Sequence, residues 1–391
     1  MSQSTTNLTA GPPAQKTGSN SLTAGLMPGW TWIVVAGAAL VLGAAITVVL
    51  SDQFAVVGWV VLSGLLYIVG MYLITLVLET RRRATDMLWK NLVWTAFFIA
   101  LVPLISVIWT VVANGLPTLI SNPGILTDDM SNVVGADDQA TAAGEAPLMG
   151  GILHGLIGTL TITLMAMVFS VPVGLLASIY LVEYGTDNWF SKAIRFFVDV
   201  MTGIPSIVAG LFAFSGMTLF VSTFISDSPA ALQSVKMGLT ASIALSVLMI
   251  PVVVRSTEEM LRVVPNELRE ASYALGVRKW RTITKVVLPT AMSGIASGVT
   301  LAIARVAGET APILVTAGYA VSVNWNVFSG WVTALPVYIY RQLINPTAPA
   351  APDPAAARAW AAALILILIV MGLNLLARVI AHYFAPQKSG R

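Results

Sequence analysis

Long apolar runs alternate with short polar breaks along most of the chain. They lie near residues 30–50, 56–78, 92–113, 152–182, 197–225, 237–261, 288–318 and 359–381. Each is long enough for the roughly 20 residues that a helix needs to cross a hydrocarbon core of about 30 Å. Lipid offers the backbone no hydrogen-bond partner, so a continuously apolar run must bond within itself as a helix. A β-barrel would instead show short segments alternating between apolar and polar. The pattern predicts an all-α polytopic membrane protein with eight spans. Residues 1–28 are polar and rich in Ser, Thr, Gly and Pro. They lack the basic start and short apolar core of a signal peptide, and their composition predicts a disordered tail.

Composition closes off other classes. Of 391 residues, 57% are hydrophobic and 10% charged, with a mean hydropathy of +0.83. An ordinary soluble domain carries about 25% charged residues, so too few polar groups remain to cover a water-soluble globule. The chain has no cysteine, hence no disulfide and no thiolate metal site. His154 and His382 are far apart in sequence. No metal, no cofactor and no nucleic-acid partner is expected.

The distribution of charge gives orientation. Eight spans place both termini on one side, and seventeen Lys and Arg residues fall there, including Lys16, Arg81, Arg82, Arg83, Lys192, Arg195 and Arg255. Lys236, Arg341 and Arg358 fall on the other side. The positive-inside rule then makes the termini cytoplasmic. The outer loops 114–150 and 319–357 carry Asp128, Asp129, Asp137, Asp138, Glu145 and Asp353, and 346–357 reads as an extended Pro-rich segment. The Arg81-Arg82-Arg83 cluster marks a seam between a hairpin, 29–83, and a six-span part, 84–391.

The most charged stretch runs from Glu258 to Arg281. Pro265, Glu267 and Glu270 suit a helix N-terminus, where acidic groups meet the positive end of the dipole. A helix over 266–275 should stop at Gly276 in a left-handed cap. A second helical piece, 278–287, should lead into the next span, with Pro289 tolerated near its start. On composition alone this is a solvated helix at the membrane surface. The spacing is more specific. Glu270-Ala271-Ser272, three residues, Gly276, nine residues, Val286, one residue, then Leu288-Pro289 resembles the coupling loop of ABC-importer permeases. That pattern is Glu-Ala-Ala, three residues, Gly, nine, Ile, one, Leu-Pro. Ser272 and Val286 are the departures. The resemblance implies that Glu270, Ala271, Ser272 and Gly276 belong to a coupling helix, 266–276, that docks in a separate ATPase. No lysine here follows a glycine, so a Gly-Lys-Ser/Thr phosphate loop is absent. A partner must bind any ATP that drives this chain, which is itself expected to be a transport subunit and not an enzyme.

Between Val286 and Gly318 the only charged residues are Arg305 and Glu309. Arg305 falls close to the middle of the predicted span, where an arginine costs about 2.5–3.5 kcal/mol on insertion scales. Two readings compete. Arg305 and Glu309 are four apart and could form an intrahelical ion pair of the weaker, cation-first order. Alternatively, Arg305 belongs to an anion site. Pro312 has no N–H for the Gly308 carbonyl, so the helix should bend or break over 308–312. Broken transmembrane helices expose backbone groups to substrates, and the planar guanidinium fork fits oxyanions.

Three further motifs carry a second resemblance. Ala304-Arg305-Val306-Ala307-Gly308-Glu309-Thr310-Ala311-Pro312-Ile313-Leu314 looks like the Ala-Arg-Ile-Ala/Ser-Gly-Glu-Thr-Ala-Pro-Leu-Leu stretch of PstA-type phosphate permeases. Thr202 to Leu211 resembles the opening of their third core span, and Ile179 to Tyr184 the end of the second. With the coupling loop these motifs cover roughly 91–385. The resemblance implies a six-helix ABC-importer permease core preceded by a two-helix N-terminal hairpin, in a bacterial plasma membrane. It implies a substrate pathway at Arg305, Glu309 and Thr310. It also implies a homologous second permease, an ABC ATPase dimer and an extracytoplasmic phosphate-binding protein as partners. A permease for sulfate or molybdate remains an alternative, as does an ion-coupled transporter using Glu309; a membrane-embedded enzyme lacks a cluster of catalytic residues in any span. Pro205 is expected to kink or break its span, and Pro251 to kink its own. Gly294, Gly298 and Gly308 are expected to let helices approach closely, and Asp199 to pair with Arg195 at the interface.

Overall fold

The computed structural model describes residues 27–50, 55–185 and 188–384. The tail expected over 1–28 lies outside the described residues apart from its last two positions. Among the described residues all regular structure is helical. Eight helices are long and apolar enough to cross a membrane, over 31–49, 56–78, 81–121, 153–184, 206–224, 238–263, 279–307 and 353–376. These are the eight apolar runs, in order, with shifted ends.

The chain divides into two compact units, one ending at Ile108 and the next starting at Trp109. In the first, α1 (Thr31–Leu50) and α2 (Val56–Leu78) pair as a hairpin. Gly43 lies against the Ser63 side chain, and the Trp59 ring N–H donates to the Leu40 carbonyl at 2.9 Å. The hairpin's outer faces are exposed valines and leucines, as befits contact with lipid. The border between the units falls inside α3 (Arg81–Ser121). At 1.5 Å per residue α3 is about 60 Å long, so the run 92–113 is the middle of a helix that overshoots the hydrocarbon at its basic first turns.

The second unit continues with α4 (Gly135–Ala142), α5 (Leu153–Ile179), α6 (Trp189–Gly203), α7 (Ser206–Phe224), α8 (Pro229–Gln233) and α9 (Gly238–Val263). After these come α10 (Asn266–Ala274), α11 (Lys279–Thr282), α12 (Leu288–Ala307), α13 (Ala311–Thr316), α14 (Leu335–Ile344) and α15 (Asp353–Phe384). Two π-helical turns interrupt it, Tyr180–Tyr184 after α5 and Ile283–Val287 before α12. The second precedes Pro289, whose missing N–H and bulky ring disfavour a regular α turn there.

The centre of this unit is the α5–α9 pair. Small and hydroxyl side chains let these helices touch. The Ser178 hydroxyl donates to the Val254 carbonyl at 3.0 Å, and that of Ser242 to the Ile162 carbonyl at 3.1 Å. Around them Ile162, Leu245, Met249, Val253, Ala302, Val306 and Ile313 form a continuous apolar core. On the other side of α9, Gly294 and Gly298 of α12 meet Met260 and Ser256, the close approach expected of them. Gly308 gives no such approach: a β-carbon placed on it would meet only the Arg305 carbonyl, at 3.9 Å.

Two expectations change. The run 197–225 is two helices, not one span. Pro205 stands between α6 and α7, where its absent N–H costs no helix bond. Helix α6 carries Lys192, Arg195 and Asp199 alongside Phe190, Phe196 and Phe197. Such an amphipathic helix suits an interface and not a lipid core, and only α7 is apolar throughout. Pro251, by contrast, sits inside an unbroken α9. Segment 346–357 is not the extended run expected: it turns at the Ala351 N–H to Ala348 carbonyl bond of 3.0 Å, and α15 begins at Asp353. Asp353 followed by Pro354 is a helix-start signal hidden in the Pro-rich composition. The outer loops are also partly helical, containing α4, α14 and a 3-10 turn at Pro123–Leu126.

Candidate functional site

Helix α12 ends at Ala307, and Gly308 caps it with a bridge-region backbone (φ −94°, ψ 0°). The Glu309 N–H still reaches the Val306 carbonyl at 3.1 Å. Pro312 then occupies the first turn of α13, where a missing N–H is harmless. The break expected over 308–312 is therefore present, and α13 restarts the chain as a single short helix. Its position is fixed by α7. A β-carbon on Gly210 would lie 2.7 Å from the Pro312 Cα and 3.0 Å from its carbonyl oxygen, so the two backbones are in direct contact.

Arg305 stands in the last turn of α12 and is exposed on this chain; Glu309 and Thr310 are half-buried in the break. A cation there is favoured by the negative end of the α12 dipole. Among the described residues neither Arg305 nor Glu309 takes part in an ion pair within 4.0 Å. The i, i+4 pairing read from the spacing needs a continuous helix, and the helix stops between the two residues. Arg305 thus reaches its surface with no carboxylate of the described residues on its donors.

A second set of charges lies at the end of the unit formed by the turn after α5, the start of α6 and the segment 264–281. Helix α10 covers 266–274, and Gly276 follows with φ +72°. The Gly276 N–H bonds the Tyr273 carbonyl at 2.9 Å and the Val277 N–H bonds the Ser272 carbonyl at 3.2 Å. This is the paired-bond helix stop that needs a residue in the left-handed region. Glu270, Ala271, Ala274 and Leu275 are exposed, Leu275 at 83%. Ser272 points the other way, with its hydroxyl 2.8 Å from the Thr282 hydroxyl in a buried contact. The departure from alanine at this position therefore forms a tie between α10 and α11.

Sequence reasoning missed the group that anchors α10. Arg269 donates from Nε and Nη2 to Glu183 Oε1 at 3.0 and 2.9 Å. It also donates to the Val264 and Leu261 carbonyls at 2.7 and 2.9 Å, and to Asn266 Oδ1 at 3.2 Å. Nearby, Arg195 pairs with Glu258 at 3.1 Å, Arg262 with the same carboxylate at 2.6 Å, and Asp199 with Arg255 at 2.5 Å. Asp199 is therefore bound to α9 and not to Arg195, because α9 offers both residues a partner across the helix pair. These side chains and Glu259 line an open cavity of about 480 Å³.

At the opposite end the loops are knitted together. The Met130 N–H bonds the Val321 carbonyl at 2.9 Å, and Asp129 accepts from the N–H groups of Ser131 at 3.0 Å and Val323 at 3.3 Å. Burial alone would raise the Asp129 pKa, but these hydrogen bonds prevail and hold its carboxyl below the usual carboxylate value. Beneath the loops Arg358, fully buried, forms a bidentate pair with Asp138 at 2.7 and 2.8 Å and donates to the Met149 carbonyl at 3.0 Å. The sequence presented Arg358 only as one of three outer cations. The available signal was an arginine at the edge of a long apolar run, in the second turn of a helix, which needs a partner once it is buried.

The profile of the binding-protein-dependent transport system inner membrane component family matches residues 170–390. The phosphate transport system permease protein PstA 1 of Mycobacterium tuberculosis (strain ATCC 25618 / H37Rv) is 44% identical over 303 residues, which are 78% of this chain and 89% of that one. PstA of Mycobacterium leprae (strain TN) is 42% identical over 298 residues, 76% of this chain and 89% of that protein. PstA of Yersinia pestis is 39% identical over 240 residues, 61% and 74% of the two chains. With eight apolar helices and a family profile that covers more than half of its length, the chain is a multi-pass membrane protein of the binding-protein-dependent transport system inner membrane component family.

Proposed function

We propose that this chain is the transmembrane permease subunit of an ATP-driven phosphate importer, forming half of the translocation pathway. One observation carries the reading. A chain 44% identical to a phosphate transport permease over 78% of its length has, at the break of its penultimate long span, an arginine with no ion-pair partner among the described residues. Arg305 supplies a permanent charge and a fork of N–H donors for an oxyanion. Glu309 and Thr310 flank it in the break. The exposed face of Arg305 is completed by a second, homologous permease. The exposed side of α10, with Glu270, Ala271 and Leu275, docks on an ABC ATPase dimer, while the knitted loops at the other end receive an extracytoplasmic phosphate-binding protein. Both termini are cytoplasmic, following the bias of Lys and Arg. In this division 29–83 is an added hairpin and 84–391 the permease domain.

The test is Arg305→Ala in the complete complex, reconstituted with its partners in vesicles. Assembly and ATP hydrolysis should persist while phosphate uptake is abolished. Uptake at the wild-type rate would remove Arg305 from the pathway. Sulfate and molybdate offered as competitors distinguish the other oxyanions. Uptake that survives loss of the ATPase would mean an ion-coupled transporter instead.

A further inference from the structure

Helix α10 touches the rest of its chain through very few side chains, and Arg269 makes most of the polar links. A guanidinium has five N–H donors, and Arg269 makes five hydrogen bonds to four acceptors. Those acceptors belong to three separate pieces of structure. Asn266 is the first residue of α10. The Leu261 and Val264 carbonyls are at the end of α9, among the carbonyls that a helix C-terminus leaves without partners. Glu183 lies in the π-helical turn that ends α5. The Glu183 side chain is 5% exposed and that of Arg269 12%, so water competes little for this pair. Both Arg269 donors fall on one oxygen, Glu183 Oε1, at 2.9 and 3.0 Å.

The arrangement fastens α10 to the two helices that form the centre of the unit. Ser178 of α5, just before the π-helical turn, bonds the Val254 carbonyl of α9, so α5 and α9 are already locked to each other there. On the other flank, the buried Ser272–Thr282 contact ties α10 to α11, which runs through a π-helical turn into α12. Lys279 stacks over the Tyr184 ring at 4.7 Å, closing the circuit from α11 back to the end of α5. A force applied to the exposed face of α10 therefore reaches α5 through one buried ion pair, α9 through the Arg269 bonds to the Leu261 and Val264 carbonyls, and α12 through one hydroxyl pair and the chain itself.

We propose that Arg269 and Glu183 are positioning residues for energy coupling: they make α10 move as one body with α5 and α9, so that ATP-driven displacement of α10 reaches the spans and is not absorbed in the 264–278 segment. The proposal rests on the reading of α10 as the ATPase-docking helix. Lysine keeps the charge of Arg269 but has three donors on a single nitrogen and cannot span the four acceptors. Glutamine keeps the shape of Glu183 and loses its charge. Coupling claimed through a chain of contacts needs direct evidence of coupling, so the quantity to measure is phosphate moved per ATP hydrolysed.

The full chain is purified with its second permease and ATPase, reconstituted in proteoliposomes, and supplied with binding protein, labelled phosphate and ATP. Glu183→Gln, Arg269→Lys and Glu183→Asp are compared with wild type for assembly, ATP hydrolysis and uptake. In Glu183→Gln and Arg269→Lys the complex should assemble and hydrolyse ATP within about twofold of wild type, while phosphate moved per ATP falls at least tenfold. Glu183→Asp, which restores the charge on a shorter arm, should recover most of that loss. A wild-type ratio in Glu183→Gln overturns the proposal. Failure of both Glu183→Gln and Arg269→Lys to assemble also overturns it, since the pair would then only hold the fold. Failure of the underlying reading shows separately, as wild-type uptake in vesicles without ATP.

Discussion

The Arg358–Asp138 pair makes a quantitative prediction about what holds the loop-rich end of the second unit together. Arg358 belongs to the first turns of α15 and Asp138 to α4, and both side chains are at most 1% exposed. Two short N–H···O bonds join them, and a third goes to the Met149 carbonyl. Replacing Arg358 by Met removes all three donors and strands a buried carboxylate. Breaking a buried pair by deleting one partner costs about 3–5 kcal/mol, and the freed Met149 carbonyl adds about 1 kcal/mol. Asp138→Leu strands the guanidinium and should cost a similar amount. The double replacement, Asp138→Leu with Arg358→Met, leaves no buried charge and should lie within about 2 kcal/mol of wild type, because apolar side chains of similar volume replace buried pairs at little cost. Thermal or denaturant unfolding in detergent of wild type, both single variants and the double variant gives the coupling energy directly. A coupling of several kcal/mol is expected. Simple additivity, or an Arg358→Met chain as stable as wild type, would refute the assignment of this pair as the fastening of α4 to α15.

Other consequences are equally direct. No atom lies within 4 Å of a β-carbon placed on Gly276, yet its φ is +72°. Gly276→Val should therefore cost about 1–2 kcal/mol in backbone strain alone, lengthen or redirect α10, and weaken ATPase association together with uptake. Association and uptake both unchanged would exclude docking through this helix. Gly210→Ala pushes a methyl group into the Pro312 backbone, which cannot yield as a side chain would. It should displace α13 from α7, and uptake should fall at least tenfold with Arg305 itself intact. The Asp129 carboxyl is held below its usual value, so its contribution to joining the outer loops is fully present above about pH 4 and is lost as pH falls through its depressed folded pKa. Asp129→Asn should flatten the acid side of the stability profile, and an unchanged profile would show that its bonds to Ser131 and Val323 contribute nothing.

Local chemistry in the sequence determined the spans and their number, the charged segment with its short helix, the stop at Gly276 and the break before Pro312. Each depends on residues within one or two turns: a run of apolar side chains, a missing N–H, a missing β-carbon. Only the tertiary structure decided which charges meet. Arg358 finds Asp138 across 220 residues and Arg269 finds Glu183 across 86. Arg195 turns to Glu258, 63 residues away, although Asp199 is one helical turn along. Arg305 is separated from Glu309 because the helix ends between them. Spacing along a chain specifies neighbours only while one helix continues. Once helices pack side by side, a carboxylate on the next helix competes with the one four residues on, and geometry across the helix pair decides between them. The coupling loop was thus readable as a helix and a turn, while its attachment to α5 and α9 emerged only when those helices were placed together.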